Sequence, residues 1–306
     1  MKRECAVVAV VVTWNRKELL REALSALSRQ TCPPTSVVVV DNGSTDGSAA
    51  AVRGWQADLM PVELVELRDN VGGAGGFAVG IERALDRSPD YVWLLDDDTV
   101  PTESALAELL AAADRSPVRP TVLASRVIWT DGRDHPMNTP RPKVYARADE
   151  RRAARQAGGT PIRSASFVSI LCAAEAVRER GLPIADYFLW NDDFEYTTRL
   201  LRGKFGLYCP GSVVVHKTKA FGSTDADPGE RFYYEVRNKV WLFTRSRGLA
   251  ASERVVYLGA TLRRWARTFR RSEDRGTLWQ ALRRGLGDGF RTRPRPNEDV
   301  LSDARR

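Results

Sequence analysis

The sequence has few cysteines, only two histidines and no long apolar segment. Its longest apolar run, residues 5–14, has about ten residues, whereas a membrane-spanning helix requires roughly 20, so we predict no transmembrane segment. None of the four cysteines forms a CxxC motif, which predicts reduced thiols in a cytosolic protein without a cysteine zinc site. With 43% hydrophobic and 28% charged residues, the 306-residue chain is predicted to be globular rather than fibrous or disordered.

Lysine is also scarce, with 7 lysines against 40 arginines, and the net charge of +8 is unevenly placed. Residues 245–306 contain 16 arginines and 7 acidic residues, so the basic character belongs to this end of the chain. Aromatic residues such as Trp241, Trp265 and Trp279 alternate with the arginines. Such amphipathic helices either contact an anionic membrane surface or pack on the rest of the protein, and both interpretations stay open. Because no recognised nucleic-acid module is present, we expect no nucleic-acid partner.

The first hundred residues alternate between strand and helix patterns. Residues 7–12 form a continuous β-branched run, typical of a strand buried on both faces, and further strands are predicted at 36–40, 62–67 and 91–95. Helical spacing lies between the strands, as at 17–27. This βαβαβαβ order predicts an α/β fold with a doubly wound parallel sheet.

Three consecutive aspartates, Asp96, Asp97 and Asp98, follow the fourth predicted strand. Alternation along the strand places Asp96 and Asp98 on one face, where they repel each other unless a cation lies between them. Mg²⁺ and Mn²⁺ take oxygen ligands and share them with substrate phosphates. At this position the triplet favours a DxD metal site over a solvated acidic turn. His216 is interpreted either as structural or as a third metal ligand.

The other predicted strands also end in polar residues, at Thr13, Asn15, Asp41 and Asn70. Ligands bind at the carboxyl ends of such strands, so we expect these side chains to line one site. Asp41 can accept a hydrogen bond from the imide N–H of uracil or thymine. It can also belong to a turn and helix cap, and both interpretations can hold together.

A glycine-dense segment, residues 69–77, opens a helix predicted at 75–85. Glycines such as Gly72 and Gly73 let the backbone approach a ligand closely, and a helix N-terminus attracts anionic groups. The segment does not match the GxGxxG fingerprint and follows the third strand instead of the first. This difference disfavours a dehydrogenase.

A second acidic cluster contains Trp190, Asp192, Asp193 and Glu195. Asp192 and Glu195 match a capping box, which predicts only the start of a helix. In the other interpretation one of the carboxylates is a general base that takes a proton from an acceptor hydroxyl. Trp190 would then stack on a sugar face.

In chain order, these segments resemble inverting family 2 glycosyltransferases with the GT-A fold. More narrowly, they are similar to the galactofuranosyltransferases of actinobacterial galactan synthesis and to related rhamnosyltransferases. Residues 69–77 and the aspartate triplet carry most of this similarity, and residues 231–238 (RFYYEVRN) add to it. The resemblance covers residues 7–242. It implies a GT-A Rossmann-like, mainly parallel sheet flanked by helices, with a C-terminal helical extension.

The resemblance also implies roles for individual residues. The catalytic pair is Asp193, as the base, with Asp192. The metal site is implied for Asp96, Asp98 and His216. Donor binding is implied for Thr13, Asn15, Asp41, Asn70, Gly72, Gly73, Asp96 and Asp97. Acceptor or sugar binding is implied for Trp190 and Glu195. Asn191 departs from the pattern, because the galactan enzymes have Trp directly followed by two aspartates.

Three regions are predicted along the chain. Residues 1–225 form the catalytic domain, with a nucleotide-binding half at 1–100 and an acceptor half at 101–225. Residues 226–290 form basic amphipathic helices, and 291–306 a disordered tail. Within the acceptor half we predict a helix at 102–114, loops or a mobile flap at 130–159, and strands at 166–170 and 207–216.

The implied reaction is metal-dependent, inverting sugar transfer with Mn²⁺ or Mg²⁺ as cofactor. The donor is a nucleotide-diphosphate sugar, foremost UDP-galactofuranose, and the hydroxyl acceptor is a glycolipid or polysaccharide precursor such as a polyprenyl-linked glycan. Rhamnosyl or other hexosyl transfer from a dTDP- or UDP-sugar, on a natural-product acceptor, stays open, as do a non-catalytic binding module and a homo-oligomer. A nucleotidyltransferase is disfavoured, because no glycine-rich phosphate loop follows the first strand. We expect a cytoplasmic protein, peripheral at the inner face of the cell membrane.

Overall fold

The computed structural model describes residues 5–55, 60–221 and 227–304. Within these ranges ten strands form one sheet: β1 Val7–Thr13, β2 Ser36–Asp41, β3 Val62–Glu66, β4 Tyr91–Asp96, β5 Thr99–Pro101, β6 Val122–Ile128, β7 Arg141–Pro142, β8 Thr160–Ser164, β9 Ser169–Ala173 and β10 Gly206–His216. The α-helices of the same ranges are α1 Lys17–Ser28, α2 Ser48–Arg53, α3 Gly72–Leu85, α4 Ala105–Arg115, α5 Ala148–Gln156, α6 Ala174–Arg180, α7 Asp192–Leu200, α8 Phe232–Thr244, α9 Ala251–Arg271, α10 Arg275–Arg291 and α11 Asn297–Leu301.

The first half of the sheet is parallel, as the sequence predicts, with the order β3-β2-β1-β4. Every residue of β1 and β2 is buried, which explains their unbroken valine runs. Helix α3 packs tightly on β1, because a Cβ at Gly80 would lie 2.4 Å from Val10 and one at Gly76 would lie 2.5 Å from Val12. The carboxyl ends of β1, β2, β3 and β4 therefore share one edge of the sheet.

The sheet changes direction beyond β4. Strand β9 runs antiparallel to both β4 and β6, and β6 runs parallel to β10. The end of β10 also pairs with the short strand β5, in a register that places His216 opposite Thr99. This pairing brings the end of β10 close to the residues that follow β4.

Two parts of the acceptor half differ from the sequence prediction. The region 130–159, predicted as loops or a flap, contains β7 and α5. Helix α5 is anchored by Glu150, whose buried carboxylate lies 2.6 Å from Lys143 Nζ. The strand predicted at 166–170 is displaced to β9, because β8 occupies the preceding residues and pairs with β10.

The C-terminal segment is ordered where we predicted a disordered tail, so that prediction is wrong for the described residues 291–304. Arg295 lies 2.8 Å from the Asp186 carboxylate, and Asn297 Nδ2 donates to Pro183 O at 2.8 Å. Leu301 is fully buried, and Arg68 N–H donates to Ala304 O at 2.9 Å. These partners come from distant parts of the chain, so the local composition does not show them.

Helices α8, α9 and α10 enclose a second, smaller core. Phe232 and Val236 of α8 pack against Leu278 and Ala281 of α10, with aromatic residues of α9 alongside. These basic helices pack on one another in this core, and Tyr257 of α9 also packs on Phe194 of α7, in line with the packing interpretation left open above. In the described ranges, no helix has both the length and the apolar character that crossing a membrane requires.

Candidate functional site

The aspartate triplet lies at the carboxyl end of β4, and the β5–β10 pairing brings His216 to it. Asp96, Asp98 and His216 each offer one ligand atom, and these atoms lie within 4.8 Å of one another. His216 Nε2 lies 2.9 Å from Asp98 Oδ1. The structure thus brings together the three residues predicted as metal ligands.

The orientation of His216 suits a metal ligand. Asn138 Nδ2 donates to Ser166 Oγ at 3.0 Å, so Asn138 Oδ1 faces His216 Nδ1, 2.9 Å away, and accepts from it. A proton on Nδ1 leaves the lone pair of the neutral imidazole on Nε2, which points to Asp98. Asp98 Oδ1 is buried, and the Nε2 atom of His216 lies beside it. The buried oxygen and the oriented nitrogen fit a cation bound between them.

Burial and charge oppose each other in this cluster. Burial, followed by repulsion from Asp98, raises the pKa of Asp96 to about 7. Burial also acts to raise the pKa of Asp98, but His216 and Arg16 outweigh it, so the pKa of Asp98 is lowered. Burial acts to lower the pKa of His216, and the contact with Asp98 raises it overall. A bound divalent cation would remove the repulsion between the carboxylates.

Asp97 serves the neighbouring loop rather than the metal cluster. Its carboxylate accepts from Thr13 Oγ1 at 2.9 Å, from Trp14 N at 3.3 Å and from Arg16 Nη1 at 3.2 Å. Arg16 also donates to Asp98 Oδ2 at 2.5 Å. Arg16 was given no predicted role, although it lies in the polar segment that follows β1. It holds a positive charge beside the predicted diphosphate position.

The predicted donor residues line the same edge, and several of them bond to each other. Asp41 Oδ1 accepts from Ser44 N at 2.9 Å, as the turn interpretation predicts, and Asn15 Oδ1 accepts from Thr45 N at 2.7 Å. A residue without a predicted role, Asn42, donates to Asn70 Oδ1 at 3.1 Å and to Gly72 O at 3.0 Å. These bonds tie the ends of β1, β2 and β3 into one framework.

The two predicted donor glycines have different surroundings. Gly72 has a φ of 75°, and a Cβ there would lie 2.0 Å from Phe188 O. The space that Gly72 leaves is therefore filled by the protein's own backbone. No heavy atom lies within 4 Å of a Cβ built on Gly73 in the described ranges, so Gly73 has room for a ligand.

The second acidic cluster begins α7, but the capping-box interpretation is wrong. Asn191 is the N-cap residue in a left-handed conformation, and its side chain makes no cap hydrogen bond. Glu195 is 1% exposed, and its carboxylate accepts from Arg199 Nε at 2.9 Å and from Ser246 Oγ at 2.8 Å. Glu195 is therefore held inside the protein, contrary to its predicted contact with an acceptor.

Asp193 and Trp190 line a cavity of about 630 Å³ between the sheet edge and the C-terminal helices. Four basic residues also line it: Arg141, Arg231, Lys239 and Arg264. Burial lowers the pKa of Lys239 to about 8. None of these four cations was predicted, because they lie far apart in the sequence: Arg141 is on β7, Arg231 precedes α8, and Lys239 and Arg264 are on α8 and α9.

The two catalytic candidates begin α7 beside this cavity, and both are partly buried. Burial raises the pKa of Asp193, against the opposing effects of the Phe194 N–H and the charges of Lys239 and Arg141. Burial, followed by repulsion from Asp193, raises the pKa of Asp192 well above its usual range. Asp96 raises it further, so the two acidic clusters lie close enough to interact.

Comparisons with known proteins agree with this geometry. Residues 8–176 match the sequence model of Glycosyl transferase family 2. The chain is 32% identical to galactofuranosyltransferase GlfT1 of Mycobacterium tuberculosis over 309 aligned residues, which cover 92% of this chain and 95% of that protein. GlfT1 of Mycolicibacterium smegmatis is 41% identical over 108 residues, 35% of each chain.

Solved structures confirm the expected GT-A fold. S. aureus TarS 1-349 in complex with UDP-GlcNAc matches with a TM-score of 0.65 at 17% identity, over 97% of this chain and 84% of that one. The mannosyltransferase PcManGT from Pyrobaculum calidifontis, in complex with GDP-Man and Mn²⁺, matches with a TM-score of 0.59 at 21% identity, over 98% and 79% of the two chains.

Proposed function

The chain belongs to glycosyl transferase family 2 and is a glycosyltransferase, and from that premise we propose that it transfers galactofuranose from UDP-galactofuranose to an acceptor hydroxyl with inversion at the anomeric carbon. One observation carries the proposal: a cluster of residues that could bind a cation lies at the same sheet edge as a cavity lined by the Asp193 carboxylate. The similarity to GlfT1 supports the choice of sugar.

On the donor side, Asp96, Asp98 and His216 would hold a divalent cation. A bound cation neutralises negative charge on the leaving diphosphate. Oxygen ligands suit both Mg²⁺ and Mn²⁺, and the imidazole nitrogen favours Mn²⁺. Arg16 adds a fixed positive charge beside these ligands. Asn15, Asp41, Asn70 and Gly73 are proposed to contact the nucleotide.

On the acceptor side, Asp193 is proposed as the general base. Its carboxylate lines the cavity, where it can take the proton of an acceptor hydroxyl that attacks the anomeric carbon. Attack from the face opposite the diphosphate inverts the configuration. Trp190, also at the cavity, is proposed to pack on a sugar ring. Asp192, beside Asp193, is proposed to belong to the same catalytic pair.

The acceptor is proposed to be a glycolipid or polysaccharide precursor. The lining combines the aromatic residues Phe232 and Trp265 with the basic residues named above. Such a mixture suits a ligand with sugar rings and negative charge. A polyprenyl-linked glycan has both features.

We also propose that the outer faces of α9 and α10 rest on an anionic membrane surface. Val255, Val256, Leu262, Trp279 and Phe290 are each more than half exposed. They share these helices with exposed arginines, the combination that amphipathic helices use at the lipid interface. The protein should sediment with phosphatidylglycerol vesicles and remain in solution with phosphatidylcholine vesicles. Equal behaviour with both lipids would contradict this contact.

The transferase proposal is tested by a donor panel. Purified protein is titrated with UDP-galactofuranose, UDP-glucose, UDP-GlcNAc and dTDP-rhamnose, each with Mn²⁺ and with EDTA. We expect EDTA-sensitive hydrolysis of UDP-galactofuranose, with the inverted anomer observed first by NMR. Selective turnover of dTDP-rhamnose would change the donor and keep the enzyme class. Hydrolysis that EDTA leaves intact would contradict the metal site.

A further inference from the structure

The backbone just before Asp192 is held in an unfavourable conformation. Phe188, Trp190 and Asn191 have φ values of 63°, 64° and 65°, a region that residues other than glycine rarely adopt. Such conformations persist only where the surroundings determine them, and they cluster at functional sites. We refer to residues 188–191 as the strained loop.

One buried side chain of α8, that of Asn238, bonds to three carbonyl groups in and next to this loop, in addition to the contacts made by Arg237 and Glu235 of the same helix. Asn238 Nδ2 lies 2.9 Å from each of three carbonyl oxygens, those of Tyr187, Leu189 and Trp190, and donates to them. An amide has two N–H groups, so these groups are shared among the three acceptors. Asn238 is 0% exposed. It does not line the cavity, so it cannot touch an acceptor there.

The loop has further partners on α3 and on α8. Phe188 O accepts from Ala74 N at 3.2 Å, at the start of α3. Asn191 Nδ2 donates to Glu235 Oε2 at 2.7 Å, and the other oxygen of Glu235 accepts from Arg264 and from Trp265 Nε1. The loop therefore lies between the glycine segment of the donor site and the helices that enclose the cavity.

We propose that Asn238 is a positioning residue for Asp193. By holding the carbonyl groups of Tyr187, Leu189 and Trp190, it determines where α7 begins and where the Asp193 carboxylate lies relative to the donor edge. The inference rests on the proposed role of Asp193 as the base. It also gives a role to Asn238, the last residue of the segment 231–238 that carries part of the family resemblance.

The first test compares Asn238→Ala and Asn238→Asp with the wild type in hydrolysis of UDP-galactofuranose. A displacement of the base by about 1 Å costs on the order of 100-fold in rate, so we expect kcat to fall by about that factor in both variants. An ionised aspartate has nearly the same shape but cannot donate to carbonyl groups, and a protonated one offers a single O–H in place of two N–H groups. UDP affinity with Mn²⁺ should stay within about twofold, because the donor edge is untouched. Wild-type kcat in both variants would overturn the proposal.

A matched control is Gln30→Ala. Gln30 is another buried amide that bonds to backbone, with Nε2 donating to Ala26 O at 3.1 Å and Thr102 O at 2.7 Å and Oε1 accepting from Leu106 N at 3.0 Å. It lies outside the site. This variant should lose thermal stability and keep its kcat. If kcat fell equally in the control, the loss in the Asn238 variants would reflect general destabilisation, and the proposal would be overturned.

Asp193→Asn, measured in parallel, separates this inference from the proposed function. If Asp193→Asn keeps full turnover, the base assignment fails. If it is inactive while Asn238→Ala is active, only the positioning role fails. Should the wild type not hydrolyse UDP-galactofuranose, amide hydrogen exchange still tests the contact. Exchange over residues 188–194 should accelerate in Asn238→Ala while β1 and β4 stay unchanged, and unchanged exchange in the loop would overturn the proposal.

If Asn238→Ala does not fold, a pair of variants at Asn191 takes its place. Asn191→Gly and Asn191→Ala both lose the contact with Glu235 and any contact with an acceptor. Glycine adopts a φ of 65° freely, whereas alanine is strained there. We expect higher kcat and slower loop exchange for the glycine variant. Identical values would show that the left-handed backbone is unimportant and would overturn the proposal.

Discussion

The two acidic clusters of this protein consist of the same residue type in different surroundings. At the end of β4, Asp98 has Arg16 on one oxygen and His216 on the other. At the start of α7, Asp192 and Asp193 have no ion pair with any residue in the described part of the chain, and burial raises the pKa of both. The first cluster is arranged to hold positive charge, and the second to hold a proton. Neighbours, and not the carboxylates themselves, separate the two roles.

The sharpest way to break this comparison is Asp193→Asn. The amide keeps the shape but cannot take a proton, so kcat should fall by a factor of about 10²–10⁴, the typical contribution of a general base. UDP binding with Mn²⁺, measured by calorimetry, should stay unchanged because the first cluster is intact. Loss of nucleotide binding together with turnover would contradict the separation of roles.

Asp98→Ala changes the other cluster, and we expect it to weaken the metal-dependent binding of UDP more than it lowers kcat. Removal of an outer partner of a metal ligand typically costs roughly 10–100-fold in metal affinity, so removal of the ligand itself should cost more. The measurement is a Mn²⁺ titration of UDP binding. EDTA added to the wild type should reproduce the defect. Metal-dependent binding that survives in Asp98→Ala would place the cation elsewhere.

Asn138→Leu sharpens the comparison by disturbing only the orientation of His216. The leucine has a similar shape but cannot accept from Nδ1, so we expect roughly 10–100-fold weaker Mn²⁺ affinity. Asn138→Asp keeps an oxygen that can accept this hydrogen bond and should recover most of the affinity. Equal affinity in all three proteins would show that His216 needs no orienting partner.

The smallest effect is expected for Asp192→Asn, on stability. Burial raises the pKa of Asp192 in the folded state above the unfolded value of about 3.9, so this group lowers stability as the pH rises through that interval. Because its side chain is still partly exposed, the variant should raise Tm by only about 2 °C at pH 7. The difference should vanish near pH 4. The exposed Asp86→Asn is the control, and a variant without any gain at pH 7 would contradict the burial argument.

The donor half could be predicted from the sequence because its information is local. The valine runs correctly predicted strands β1 and β2. The ends of the predicted strands correctly placed Asp41 and Asp96 at one edge of the sheet. The acceptor half could not be predicted equally well. Helix α5 was missed, since its composition is charged and its anchor is one buried ion pair, Lys143–Glu150. The Asp192–Glu195 spacing of a capping box was misleading, because the buried Glu195 carboxylate pairs with Arg199 of the same helix and accepts from the distant Ser246.

The sequence by itself determined a parallel α/β framework and the places where carboxylates follow strands, because strand and helix periods depend on neighbours a few residues away. Only the tertiary structure decided which distant groups meet these carboxylates. It brought His216 and Asn138 to Asp98, and Lys239 to Asp193. It also placed Asn238 under the strained loop. These contacts depend on the order of strands in the sheet and on where the helices pack. No local sequence pattern encodes them.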